Sequence, residues 1–225
     1  MNEPNFQKEL DRILADEENR GKKLFLHSCC APCSSYVLIY LRSFFRITVF
    51  YYNPNITEDA EYVHRLSEQK RLIEVLNEEA KEAREEGGSA PYPVMIREGS
   101  HDTALWYRSV EGLEAEKEGG ARCEVCFRMR LFETAKRAKE AGADYFGTTL
   151  TISPLKNAKL INILGAEAAA GSGVLWLPAD FKKKEGYKQS IELSRKYELY
   201  RQDYCGCGFS KKERQKAVKE TEREQ

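Results

Sequence analysis

The sequence predicts an α/β protein: a mostly parallel sheet flanked by helices, with a helical C-terminal part. Three observations carry this prediction. Short runs rich in β-branched and aromatic residues alternate with helical patterns along the whole chain. Four of these runs end in polar or ligand-type residues, as strands do when they deliver side chains to one rim of a parallel sheet. The 225 residues contain no internal repeat, low-complexity tract or linker, so they read as one domain over 1–225.

Each element has its own signal. Residues 4–19 put Phe6, Leu10, Ile13 and Leu14 on one helical face, within an N-terminal helical segment over 1–21. KLFLHS (23–28) is an apolar run that stops at a polar turn, a buried strand. CAPCSSYVLIYLRSFF then reads as a loop feeding a helix, with Pro32 near its start. RITVFYY (46–52) is a second strand, followed by a turn at Asn53–Asn55. Residues 58–86 form a long helical pattern whose ten acidic and five Lys or Arg residues predict a solvated acidic face. YPVMI (92–96) is a third strand, and 101–118 hold one or two short helices. Residues 122–142 form a helix closed by Gly142. DYFGTTLTIS (144–153) and VLWLP (174–178) are strands, with a helix over 155–170 between them. Helices at 187–199 and 210–222 make up the cysteine-bearing part over about 180–225.

Lys plus Arg and Asp plus Glu are both 36, which excludes a protein held to nucleic acid by bulk positive charge. No apolar run approaches the roughly 18 residues needed to span a bilayer. The N-terminus is polar and acidic with no apolar signal core, so a reducing, cytoplasmic setting is expected.

The seven cysteines form three knots: Cys29, Cys30 and Cys33; Cys123 and Cys126; Cys205 and Cys207. Unrelated buried thiols would be scattered. Zinc modules keep their cysteine pairs about 12 to 20 residues apart. Here 89 residues separate Cys33 from Cys123, and 78 separate Cys126 from Cys205. Ligands this remote require a site assembled by the whole fold. Seven thiols also exceed the needs of one four-thiolate centre. Adjacent residues in an extended segment point opposite ways, so Cys29 and Cys30 are expected to serve different partners. The simplest partition gives one iron–sulfur cluster to Cys30, Cys123, Cys126 and Cys205. Cys29, Cys33 and Cys207 remain for a second metal or redox chemistry, with Asp180 as an oxygen ligand or acid nearby. A structural zinc with spare thiols and a thioredoxin-type dithiol at Cys30 and Cys33 are the competing readings.

HSCCAPCS (27–34), YYNPNI (51–56), RCEVCFRMRL (122–131), TTLTISPLKN (148–157), ADFKKKEGYKQS (179–190) and YRQDYCGC (200–207) together resemble the cobalamin-independent epoxyqueuosine reductase family, the QueH type. The blocks fall in order over about 22–210, and every cysteine lies inside one of them. The resemblance implies a HUP-like, Rossmann-related α/β fold. It implies a [4Fe–4S] cluster with a further mononuclear metal, iron or zinc. It also implies reduction of the epoxide of epoxyqueuosine, at the wobble position of tRNA, to the alkene of queuosine. That reaction needs two electrons and two protons, so an external low-potential electron donor is expected.

Candidates for proton transfer at the rim are Asp180, Tyr204, His27 and Lys156. Each has a plain alternative: a core histidine, a packed tyrosine, a phosphate-binding lysine, or an Asp180 paired with the adjacent lysines. For RNA, Lys182, Lys183 and Arg201 are candidate phosphate contacts, and Tyr52, Phe181 or Tyr187 could stack on a flipped-out base. Residues 171–225 carry 13 Lys or Arg against 9 Asp or Glu, so any electrostatic footprint is local. Two further functions remain in play: a zinc-stabilised RNA-binding module and a sulfur-transfer tRNA-modifying enzyme. The latter calls for a glycine-rich pyrophosphate loop after the first strand, where this chain has CCAPC.

Overall fold

The computed structural model describes residues 4–88 and 90–223. The expectations for residues 1–3 and 224–225 lie outside these. Five strands form one sheet: β1 (Lys23–Ser28), β2 (Arg46–Tyr51), β3 (Met95–Glu98), β4 (Tyr145–Thr148) and β5 (Leu175–Trp176). Their order is β3-β2-β1-β4-β5, and every pairing is parallel. β1 lies at the centre, and all its residues after Lys23 are buried, as a strand covered on both faces requires.

The helices are α1 (Phe6–Ala15), α2 (Ala31–Leu41), α3 (Asp59–Glu85), α4 (Thr103–Ser109), α5 (Ala121–Glu140), α6 (Ala158–Ser172), α7 (Gly186–Lys196) and α8 (Gly208–Arg223). One layer packs α2 against α3 and α7; the other packs α5 and α6 together over β1, β4 and β5. Side-chain caps set three helix starts: Asn5, Asp102 and Asn157 each accept a hydrogen bond from a backbone N–H of the first turn. Gly142 and Gly173 take positive φ just past α5 and α6, where a side chain would be strained.

Several expected boundaries move for local reasons. The third strand begins at Met95 rather than residue 92. The Tyr92 N–H is taken by the Arg42 carbonyl, and Val94 exchanges two hydrogen bonds with the Asn77 carboxamide. The strand expected over 144–153 stops at Thr148, whose hydroxyl accepts from Leu150 N–H and turns the chain into a 3-10 segment, Thr149–Ile152. The expected strand 174–178 shortens to two residues, because Ala179 N–H is drawn to the Asn162 carboxamide. The helix of 155–170 starts only at its Asn157 cap.

The chain moves outward from β1 to β2 and β3, then returns to place β4 on the other side of β1. The point of reversal lies between β1 and β4. In open parallel sheets the crevice beyond the carboxyl ends of such strands is where ligands bind. Cys29 follows β1 there, and the 149–156 segment follows β4.

Candidate functional site

All seven cysteines are free. They fall into two groups that meet. The first is the trio at the mouth of β1. Cys30 caps α2, and the Cys29, Cys30 and Cys33 sulfurs all lie within 4.8 Å of one another. The Cys29 and Cys30 sulfurs are 3.6 Å apart, so the expectation that neighbouring cysteines diverge is corrected. The chain leaves the sheet at Ser28 and enters α2 directly, so the alternation of a strand no longer applies. The Cys30 and Cys33 thiols hydrogen-bond to Cys29, which lowers its pKa well below that of an ordinary thiol, while Cys30 is pushed up to about 12.

The second group is a quartet. Cys123 and Cys126 sit on the first two turns of α5, three residues apart on one face. Cys205 and Cys207 come from the loop before α8, and all four line one small cavity. Gly206 between them has φ +117°, and a Cβ there would stand 2.9 Å from Ile56 Cγ1. Only glycine lets the C-G-C turn pass so close. Cys205, Lys156 and Glu118 also line a second, more open cavity, shared with Cys29 and Cys33. This cavity has an interior of about 150 Å³ and opens to solvent.

Buried cations hold these parts together. Arg65 on α3 is 1% exposed and bonded to Glu61 at 2.6 Å. It donates to the carbonyls of Cys205 (3.2 Å) and Tyr204 (3.3 Å) and lies under the Tyr204 ring. Arg122 ties the carbonyls of Leu113, Glu114 and Glu116 to Glu213 of α8. Arg130, one turn beyond Cys126, donates to His27 Nε2 (3.2 Å), Asn53 Oδ1 (2.9 Å) and the Cys126 sulfur (3.9 Å). It meets no carboxylate among the described residues. A buried guanidinium without a carboxylate is costly unless other negative charge offsets it. The sulfurs of Cys126, Cys29 and Cys205 lie nearest, and negative charge on them, as in a metal-ligating state, would offset it. Although burial opposes its charge, Lys156 is held protonated above the usual lysine range by Cys205, Cys29 and Cys33. Clustered free thiols beside buried cations that meet no carboxylate among the described residues fit a thiolate-ligated soft metal or metal–sulfur group.

The expected site residues divide. Lys156 borders the quartet cavity, the open cavity and a lysine-walled cleft. Tyr204 and Arg201 line the open cavity, and Tyr187 is its exposed aromatic wall. His27 is a satisfied core histidine: Nδ1 lies 2.8 Å from Thr148 Oγ1, and Arg130 donates to Nε2. Burial, and then the Arg130 charge, push its pKa down to about 3, so the ring is neutral. Asp180, expected beside the thiols, pairs with Lys182 at 2.6 Å and lines the lysine cleft with Lys183 instead. The chain turns away at Asp180, where its carbonyl accepts from Lys183 N–H. Tyr52 is no free stacking surface: it is 5% exposed and stacked on Phe50. Phe181 is likewise core.

The sequence reading missed several groups. Arg130 had a usable signal, its i+4 spacing from Cys126 on a helix. Arg65 and Gln69 were hidden in the acidic helix, for which only a solvated face was expected. Gln69 accepts from the Ser28 and Ser34 hydroxyls behind the trio. Gln202 donates to the Cys30 sulfur at 2.8 Å. Glu118 and Asp203, rather than Asp180, are the carboxylates on the open cavity.

Fold and site together define a Rossmann-like α/β protein with a multi-thiol, metal-competent centre at its switch point. A family model described as epoxyqueuosine reductase QueH matches residues 24–213. The chain is 41% identical to epoxyqueuosine reductase QueH of Staphylococcus epidermidis over 208 residues, covering 92% of this chain and 84% of that protein. It is 38% identical to the Streptococcus pyogenes protein of that name, over 93% of this chain and 80% of the relative. Against the Thermotoga maritima one it is 32% identical, over 89% and 96%. The chain belongs to the QueH epoxyqueuosine reductase family, and so to a family of oxidoreductases.

Proposed function

We propose that this chain reduces the epoxide of epoxyqueuosine in tRNA to the alkene of queuosine, using an iron–sulfur centre. The observation that carries the reading is the convergence of Cys123, Cys126, Cys205 and Cys207, from segments 78 residues apart, on one cavity that shares a wall with an open one. Geometry favours this quartet as the cluster's ligands, with Cys207 in the place first given to Cys30. The trio Cys29, Cys30 and Cys33 then holds the second metal, iron or zinc. When bound, the metal–sulfur group supplies electrons one at a time from an external low-potential donor.

The overall change is epoxide plus two electrons and two protons giving alkene and water. The residues of the open cavity bind and orient the nucleoside. Tyr187 offers a ring for stacking, and Arg201 a cation for the flanking phosphate. Lys156, held protonated beside the thiols, donates to the departing oxygen; Tyr204, Glu118 and Asp203 line the same space and relay the second proton from solvent. Lys182 and Lys183, in the adjoining cleft, contact the tRNA backbone. Among the described residues no helix is long and apolar enough to cross a membrane. The free thiols favour a reducing, cytoplasmic setting.

Anaerobic reconstitution with ferrous iron and sulfide, followed by single-turnover assay on epoxyqueuosine-tRNA, tests the reading. The wild type is expected to turn brown and yield queuosine. Cys123→Ser should lose iron and all turnover. Lys156→Met should keep iron and slow turnover by about 10²–10⁴-fold. A colourless protein with one zinc that binds tRNA without reducing it would establish the RNA-binding module instead.

A further inference from the structure

The chain has two tryptophans, and their indole N–H groups fare differently. Trp176 Nε1 donates to Asn162 Oδ1 at 3.1 Å. Trp106 Nε1 is buried with no acceptor among the described residues. Trp106 itself is 1% exposed, on α4, and packs in one apolar cluster with Val110, Cys126 and Cys207. Its ring lines the quartet cavity. An indole N–H can only donate, and a buried donor left unpaired is costly. Cys126 and Cys207 share its cluster, yet neither sulfur accepts its hydrogen. Asn55, also 1% exposed, lines the same cavity with its Oδ1 unpartnered. Its carboxamide can equally present Nδ2 by rotating end for end.

We propose that Trp106 is a positioning residue for the electron carrier: its indole N–H donates to a sulfur atom of the metal–sulfur group held by the quartet, with the Asn55 carboxamide as a second donor. This rests on the iron–sulfur reading above. The group adds sulfur acceptors inside a cavity whose wall holds an unused donor. A hydrogen bond to such a sulfur is strongest when the group carries an extra electron. Trp106 therefore favours the reduced state and raises the reduction potential. The residue touches no substrate in this scheme; it acts through the group that it steadies.

The test compares the wild type, Trp106→Phe, and a variant carrying 3-benzothienylalanine at position 106, which keeps the bicyclic shape and deletes only the N–H. Each is reconstituted anaerobically with ferrous iron and sulfide. Iron and sulfide per chain are measured, and the potential is read by dithionite titration with electron paramagnetic resonance. Both variants should shift to a more negative potential, and the benzothienyl variant should keep its full iron content. A benzothienyl variant with wild-type iron and an unchanged potential overturns the proposal, and would mean that the N–H rotates onto the Asn55 carbonyl instead. If Trp106→Phe loses iron through packing alone, the benzothienyl variant still decides. A wild type that takes up zinc but neither iron nor sulfide overturns the underlying reading, and this inference with it; that outcome is recognised before any variant is measured.

Discussion

Cys29, Cys30 and Cys33 come from five consecutive residues at the end of the central strand. Cys123, Cys126, Cys205 and Cys207 come from the start of α5 and from a loop 78 residues later. The trio is nearly complete once β1 enters α2, because one strand end and one helical turn bring its sulfurs together. The quartet exists only while distant segments stay fastened. Its fasteners are buried arginines: Arg65 on the Tyr204 and Cys205 carbonyls, and Arg122 between the 113–116 turn and α8. A local thiol group needs no scaffold beyond its own chain. A dispersed one recruits buried charge, and is exposed to any change that releases a strut.

The contrast can be broken most forcefully at Arg65. Arg65→Leu removes both carbonyl contacts and leaves the largely buried Glu61 with the Tyr200 hydroxyl but no cation, so a loss of about 3–5 kcal/mol is expected in urea denaturation. Quartet-bound iron should fall with it, while a metal on the trio is retained. If the trio's metal is lost in parallel, the two groups are one cooperative unit and the distinction fails.

Gly206→Ala sharpens the same point with a smaller change. The added Cβ meets Ile56 Cγ1 at 2.9 Å in a φ of +117°, which costs about 1–3 kcal/mol. Iron affinity should weaken, whereas Gly208→Ala, whose Cβ would meet nothing closer than 3.5 Å, should leave it near the wild type.

On the trio's side, His27 lies just before Ser28 and ties β1 to Thr148 and Arg130. Its pKa in the fold is about 3, against an ordinary value near 6.5. The unfolded chain therefore takes up the proton first. Stability is full above about pH 6.5 and declines as pH falls toward 3, by up to about 1.4 kcal/mol per pH unit. Denaturation of the metal-free protein at pH 7.5 and pH 5 should show that loss, and His27→Gln should reduce it. Equal losses in both proteins would mean that the histidine is not the titrating group.

Strand and helix types were legible from periodicity, because a buried parallel strand and an amphipathic helix impose patterns that need no knowledge of neighbours. Boundaries were less so. The start of β3 depends on Arg42 and Asn77, and the end of β4 depends on the Thr148 hydroxyl. Within the site, the clustering of the cysteines announced soft-metal chemistry. The expectation that Cys29 and Cys30 diverge failed, since the strand alternation behind it ceases at Ser28. Asp180 was placed near the thiols by its position just past the fifth strand, but Lys182 is two residues away and captures it.

By itself the sequence determined the α/β alternation, the rim to which polar residues are delivered, and the presence of a multi-thiol centre. These follow from residue type and short-range spacing. Which sulfurs face one another, which cations are buried beside them, and the unpaired Trp106 N–H were decided only by tertiary structure. Each depends on the relative placement of segments tens of residues apart, and no local periodicity encodes that distance.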